Sequence, residues 1–183
     1  MATADIFVGP LMLELLSCLC EQSAQAANPP GICCFRVGNE VAHDAGQDED
    51  QCCLGIAYVA LGDTWPSSGS FPEQDFVRQA DAKCPPPTWA QSFKLGIIRC
   101  LPNVGDGFHP PSCTDWNAAA LQNVIDAQTL RQVACCFRDF VTTNDGLFLG
   151  MSVVIERQNQ GTPQGGCVER SMSIVAQIVN CDC

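Results

Sequence analysis

The chain has 183 residues, of which 46% are hydrophobic, a length and composition typical of one folded domain. Acidic residues outnumber Lys and Arg by 20 to 9, which gives a formal net charge of −11. This charge repels a polyanion, and the few basic residues are scattered, which argues against tight binding to a phosphate backbone. No apolar run approaches the roughly 18 residues that a membrane span needs, so we expect no membrane segment.

Cysteine is the most unusual feature of the composition, with 14 residues in the chain. No C-x-x-C pair occurs, and only two histidines, His43 and His109, accompany the thiols, which disfavours a structural zinc site. Residues 1–10 lack the features of a secretory signal, so we expect folding in a reducing cytosol, with disulfides forming only after lysis. Packing and disulfide roles both stay open for the thiols.

Three pairs of cysteines are adjacent in the chain: Cys33-Cys34, Cys52-Cys53 and Cys135-Cys136. On a strand, neighbouring side chains point to opposite faces of the sheet. We therefore expect the two sulfurs of each adjacent pair to meet different neighbours.

The first part of the chain predicts one helix and two strands. Pro10 suits the first turn of a helix, and Leu13, Leu16 and Leu19 then follow on one side at helical spacing. Ile32–Val37 and Leu54–Leu61 have the composition of strands.

An acidic loop lies between these two strands. Its carboxylates do not follow the ligand order of a calcium-binding loop, so the pattern favours a turn in solvent. The four acidic residues of the loop are Asp44, Asp48, Glu49 and Asp50.

A proline-rich arm is predicted over Gly62–Ala90. Its X-Pro sequences exclude one continuous helix or central strand, and a loop of this length usually acts at a surface. Three large aromatic residues of the arm, Trp65, Phe71 and Trp89, need an apolar partner. Two alternatives stay open, because the arm can fold back on its own domain or contact another subunit.

A strand over Ser92–Leu101 precedes the strongest helix pattern of the sequence. Ser112 and Asp115 have the spacing of a capping box. After them, apolar residues recur at steps of three or four over nearly thirty residues. The members of this stripe are Trp116, Ala120, Val124, Ala127, Leu130, Ala134, Phe137 and Val141.

Two alternating segments, Leu147–Glu156 and Cys167–Cys181, close the chain as strands. The resulting order predicts an α+β domain in which an N-terminal helix and one long helix pack on a mainly antiparallel sheet. The sequence lacks the motifs of hydrolases, phosphate-binding loops, zinc proteases and dinucleotide-binding enzymes. We therefore expect a protein that is not an enzyme, with no catalytic residue, no metal and no cofactor.

Several short motifs occur in order over most of the chain, from about Leu11 to Val179. The motifs are Gly55-x-Ala57-Tyr58-Val59-x-Leu61, Trp65-Pro66-Ser67, Phe71-Pro72, Leu95-Gly96-Ile97-Ile98-Arg99-Cys100-Leu101-Pro102, Cys135-Cys136 and Gly165-Gly166-Cys167. As an ordered set they resemble the cysteine-bearing tail terminator and head-to-tail connector proteins of long-tailed actinobacteriophages.

The resemblance implies a single tail-terminator-like domain over residues 1–183 and a structural protein of the phage neck. Such a protein is assembled in the host cytoplasm as a ring, commonly of six copies, and becomes part of the virion. The ring stops growth of the tail tube, binds the major tail tube protein and the head connector or stopper protein, and leaves a passage for genomic DNA.

On this interpretation Trp65, Phe71 and Trp89 are candidate subunit contacts. The acidic loop with Asp44, Asp48, Glu49 and Asp50 is expected to face the DNA passage or a contact between rings, because an acidic wall lets a polyanion slide. Two alternatives stay open: another connector component, such as a stopper or adaptor, and a monomeric, disulfide-rich binding module.

Overall fold

The computed structural model describes residues 7–37, 55–67, 70–74, 88–102, 110–143, 148, 151–163 and 166–179. These residues form two helices and five strands, in the order α1 (Val8–Ala24), β1 (Ile32–Arg36), β2 (Ile56–Pro66), β3 (Thr88–Cys100), α2 (Cys113–Thr143), β4 (Val153–Gln160) and β5 (Cys167–Val179). The predicted α+β class and the predicted succession of elements are confirmed.

The five strands form one sheet with the spatial order β1-β2-β3-β5-β4. β1 pairs with β2 in parallel, and the other three pairings are antiparallel. The sheet is therefore mainly antiparallel, as predicted, and its two outer strands differ: β1 has five residues and β4 has eight.

Both helices pack on the same face of the sheet, which is called the helix face below. Alternate residues of β3, Phe93, Leu95 and Ile97, point to this face and are buried. The core contains residues from both helices and from three strands, including Leu11, Leu15, Leu19, Val59, Phe93, Leu95, Leu130, Val133, Phe137, Met172 and Ile174.

The apolar side of α1 differs from the prediction. Leu11, Leu15 and Leu19 are fully buried at a spacing of four residues, whereas Leu13 is exposed. Leucines surround most of this short helix, so the spacing alone permits more than one buried face. Packing against α2 and the sheet selects the side that carries Leu11 and Leu15.

The capping box at the start of α2 is confirmed. The backbone N–H of Ser112 donates to Asp115 Oδ2 at 2.9 Å, and the backbone N–H of Asp115 donates to Ser112 Oγ at 3.3 Å. The Ser112 hydroxyl also donates to Asp115 Oδ2 at 2.7 Å, and this bond, followed by the one from the Ser112 backbone N–H, lowers the pKa of the Asp115 carboxyl below its ordinary value.

The predicted arm over Gly62–Ala90 is wrong at both ends, because β2 continues to Pro66 and β3 already begins at Thr88. A bulge between Leu61 and Thr64 absorbs the irregular segment around Gly62. The buried Gln91 side chain donates from Nε2 to the carbonyls of Gly62 and Asp63 at 3.2 and 3.4 Å.

The strand predicted over Leu147–Glu156 begins later, because β4 runs from Val153 to Gln160. Phe148 lies in a turn and is buried in the core, and Met151 packs against the same core. The backbone N–H of Met151 donates to the Phe148 carbonyl at 3.0 Å. The alternating apolar residues at the start of the predicted strand thus include core contacts made from a turn.

Two disulfides connect α1 to the rest of the fold. Cys18 bonds to Cys136 of α2, 118 positions away in the chain, and Cys20 bonds to Cys33 of β1. The expected divergence of adjacent cysteines is confirmed at two pairs. Cys34 is a free thiol beside the bonded Cys33, and Cys135 is an exposed free thiol beside the bonded Cys136.

Of the nine cysteines among the described residues, five are disulfide-bonded: Cys18, Cys20, Cys33, Cys136 and Cys167. The structure thus contains these five cysteines in their oxidised form, and the expectation that the thiols are reduced at assembly stays a prediction. The Cα atoms of the two described pairs lie 6.0 and 5.7 Å apart, which is within the usual range for a disulfide.

Replacing Cys136 with Ser should lower the free energy of unfolding of the oxidised protein by about 2–4 kcal/mol, because the long loop closed by this bond is released in the unfolded chain. Urea unfolding followed by circular dichroism measures the change. Cys135→Ser is the matched control, since this adjacent thiol is exposed and free, and it should change little. Equal effects of the two substitutions would contradict a stabilising role for the bond.

Candidate interaction surface

The apolar stripe of α2 is only half covered by the protein. Its C-terminal part, including Leu130, Phe137 and Val141, is buried against α1 and the sheet. Toward the N-terminus this cover is missing: Trp116, which is in line with the buried Ala134 five turns later, is 47% exposed, and Val124, farther round the helix, is 62% exposed. An apolar helix stripe without a cover is typical of a surface that binds another macromolecule.

A groove runs beside this uncovered stripe, between the N-terminal half of α2 and one end of the sheet. Its volume is about 630 Å³, and it adjoins a second depression of about 370 Å³. The residues that line both are Leu101, Ala119, Asn123, Val168 and Arg170. The two depressions therefore form one continuous surface, here named the α2 groove.

The two ends of the α2 groove have different chemistry. One end is apolar and is lined by Trp116, Ala120 and Val124 of the uncovered stripe. The other end is polar and is lined by Arg99 and Asp126. A partner that fills the α2 groove must therefore present apolar and polar groups side by side.

An ion pair with two hydrogen bonds forms the polar end. Arg99 donates to Asp126 from Nε to Oδ2 at 3.0 Å and from Nη2 to Oδ1 at 2.8 Å. The side chains are only 11% and 2% exposed. Arg99 Nη2 also donates to the Asn28 carbonyl at 2.8 Å, and Gln122 Nε2 donates to Asp126 Oδ1 at 3.0 Å. These contacts satisfy the buried charges and join α2, β3 and the segment after α1.

Gly55 provides the space that this arginine needs. Its φ is +78°, and a Cβ atom there would lie 2.6 Å from Arg99 Nη1. A larger residue would therefore be strained and would also displace the guanidinium from its position. This observation gives the first glycine of the Gly55-x-Ala57-Tyr58 motif a physical role.

Two polar atoms of the α2 groove have no hydrogen-bond partner among the described residues. They are Nε of Arg170 and Oδ1 of Asn123, and both are buried. Arg170 lies on β5 opposite Ile97 of β3 and Gln160 of β4, on the helix face. A buried donor and a buried acceptor without partners lower the stability of a fold. Their occurrence together therefore marks this part of the surface as a candidate binding site.

The opposite face of the sheet carries a separate polar cluster. The Tyr58 hydroxyl donates to Glu169 Oε1, and Lys94 Nζ lies 2.8 Å from the same oxygen. A Cβ atom at Gly96 would lie 2.5 Å from the Tyr58 ring, so only glycine fits beneath it. The cluster therefore connects β2, β3 and β5.

This cluster does not create a reactive tyrosine. Burial of Tyr58, and then its hydrogen bond to Glu169, raise the pKa of the hydroxyl well above its usual range. The hydroxyl keeps its proton at neutral pH and acts as a hydrogen-bond donor. The arrangement stabilises the sheet and does not supply a phenolate nucleophile.

The aromatic residues predicted as subunit contacts lie in different surroundings. Trp89 belongs to β3 and packs against the core of its own domain. Trp65 is half-buried, and its Nε1 donates to the Pro72 carbonyl at 2.8 Å, beside the half-buried Phe71. A subunit contact through Trp65 and Phe71 stays a prediction. The acidic residues Asp44, Asp48, Glu49 and Asp50 lie outside the described residues.

The sequence interpretation missed the polar residues of the α2 groove, although two signals were present. Asp126 lies beside apolar positions that face the core, which indicates a buried cation nearby. Arg170 falls in the alternation of β5 at a position on the same face as Met172 and Ile174. A charge at a core-facing position indicates a specific partner.

Among the described residues, one group has the spacing of metal ligands, formed by Glu14, Cys18 and Cys136. The two sulfurs of this group are bonded to each other, so the group does not offer thiolate ligands in this structure. Within the same ranges, neither helix has the length and apolar composition required to cross a membrane.

No protein-family model matches this chain, and no curated protein matches its sequence.

Replacing Asp126 with Asn should lower the free energy of unfolding by about 3 kcal/mol, because Arg99 would stay buried without an anion. Urea unfolding measures this loss. Asp139→Asn on the same helix is the control, since its ion pair with Arg138 is exposed and should contribute under about 1 kcal/mol. If both variants unfold at the wild-type urea concentration, the ion pair does not hold α2 on the sheet.

Proposed function

We propose that this chain is a structural protein of the neck of a long-tailed phage particle. In this proposal it is a tail terminator that forms a ring, caps the tail tube and joins it to the head connector. The observation that carries the proposal is the uncovered apolar stripe of α2 beside the α2 groove, on an α+β domain whose element order agrees with the resemblance. A surface of this kind needs a macromolecular partner.

The two edges of the sheet support a ring of identical copies. The α2 groove lies toward the β4 edge, because Gln160 at the end of β4 lines it. The other edge is formed by β1, where Phe35 is exposed, as is Val37 just after the strand. A contact between two unlike surfaces of identical copies repeats in one direction and closes into a ring when the rotation fits.

The net charge supports a passage for DNA through such a ring. A chain with a charge of −11 repels the phosphate backbone, so DNA would pass without specific binding. The same ring would bind the tail tube protein on one side and the head connector or stopper on the other. A stopper or adaptor of the same neck would share these properties and differ in its neighbours.

The second candidate is a monomeric, disulfide-rich binding module. The disulfides Cys18–Cys136 and Cys20–Cys33 favour it, since both anchor α1 and such bonds persist in an oxidising environment. In this case the α2 groove would bind a different molecule and the chain would act alone.

Size-exclusion chromatography with light scattering under reducing conditions separates the two candidates. The tail terminator is expected to remain folded and to elute as a multimer, commonly of six copies. The binding module is expected to be monomeric and to lose its circular dichroism when the disulfides are reduced. A folded monomer at all concentrations would contradict the ring, and electron microscopy of the multimer would show whether it has a central hole.

A further inference from the structure

The two helices bring three potential metal ligands together at the disulfide between them. The ligand atoms of Glu14, Cys18 and Cys136 all lie within 4.8 Å of one another, and Glu14 Oε1 is 3.8 Å from Cys18 Sγ. Glu14 and Cys18 share one face of α1, because residues four apart on a helix are neighbours. The two cysteines are 118 positions apart in the chain, so the sequence contains no C-x-x-C signal for this group.

The ligand types and their spacing suit zinc once the disulfide is open. Zn²⁺ binds thiolate sulfur at about 2.3 Å and carboxylate oxygen at about 2.0–2.2 Å, usually in a tetrahedron, in which two sulfurs lie about 3.8 Å apart. The Cα atoms of Cys18 and Cys136 are 6.0 Å apart. Rotation of the two side chains therefore brings the sulfurs to this separation without a movement of the helices.

A depression in the surface gives this point access to solvent. Cys18 is only 1% exposed, whereas Cys136 is half-buried and lines a depression of about 420 Å³ between α1 and α2. Gln22 of α1 and Gln132 of α2 also line it, so its walls are partly polar. Water on the Cys136 side can supply a fourth ligand, as it does in zinc sites with three protein ligands.

We propose that reduction of the Cys18–Cys136 bond opens a binding site for one Zn²⁺ ion, with the two thiolates and the Glu14 carboxylate as its protein ligands. A thiol reductant gives two electrons and two protons to the bond and is itself oxidised to a disulfide, which leaves two S–H groups on the chain. Zn²⁺ then displaces both protons when it binds.

The ion would replace the covalent connection between the helices. In the oxidised chain the disulfide joins α1 to α2, and in the reduced chain Zn²⁺ would join the same residues. This inference does not depend on the proposed function, because all three ligands belong to one copy of the chain.

Cobalt titration of the full chain under anaerobic conditions tests the site. Co²⁺ replaces Zn²⁺ in tetrahedral sites, and bound thiolates give it an absorption band in the near ultraviolet. A phosphine serves as the reductant, since it has no thiol that competes for the metal. The reduced wild type is expected to show the band and to lose it when Zn²⁺ is added.

Two substitutions remove ligands from the site. Cys136→Ser removes one thiolate, and Glu14→Gln removes the carboxylate but keeps both sulfurs. Each is expected to weaken Co²⁺ binding about tenfold or more, because even the loss of an outer contact to a metal ligand commonly has an effect of this size. The oxidised form of Glu14→Gln retains the disulfide, so its circular dichroism reports whether the fold is intact. This variant stays informative if Cys136→Ser fails to fold.

Glu21→Gln and Cys135→Ser are the matched controls. Glu21 is exposed on α1, and Cys135 is the exposed free thiol beside Cys136. Both variants are expected to bind Co²⁺ like the wild type. A reduced wild type without the thiolate band, or equal affinities of Glu14→Gln and the wild type, would overturn the site. Equal weakening by Cys135→Ser and Cys136→Ser would also overturn it, because binding would then come from thiols in general.

Discussion

The ion pair between Arg99 and Asp126 determines how α2 lies on the sheet. Each charge is buried and depends on the other, so the helix cannot shift without exposing or separating them. Arg99 also binds the Asn28 carbonyl after α1, and Gly55 at the start of β2 provides its space. One arginine therefore joins α2 to β3 and to the segment after α1, and these contacts form the polar end of the α2 groove.

The remaining contacts divide α2 into two parts with different surroundings. The disulfide between Cys18 and Cys136 holds its C-terminal half against α1, where the apolar stripe is buried. Beyond Asp126 toward the N-terminus, the helix surface around Trp116 has no cover. A helix that is anchored in this way presents its uncovered half on a rigid base, and rigid surfaces lose little conformational entropy when they bind.

The sequence predicted which helices and strands form better than it predicted where they end and which other elements they contact. The capping box at Ser112 and the alternation in β3 are local signals, and both are confirmed. The limits of β2 and β4 depend on a bulge after Leu61 and on a turn around Phe148, which tertiary contacts select. The α2 groove could not be predicted, because its walls come from α2, β3 and β5, which meet only in the folded chain. The helical pattern also placed Trp116 and Phe137 on the same apolar stripe, but only Phe137 is buried.

The central proposal is that this chain forms a ring of identical copies. A cryo-electron microscopy reconstruction of the particle formed by the wild-type chain under reducing conditions tests it most directly. The proposal predicts a closed ring of identical subunits with a central hole. A particle without a central hole, or a chain that forms no particle at any concentration, would contradict it.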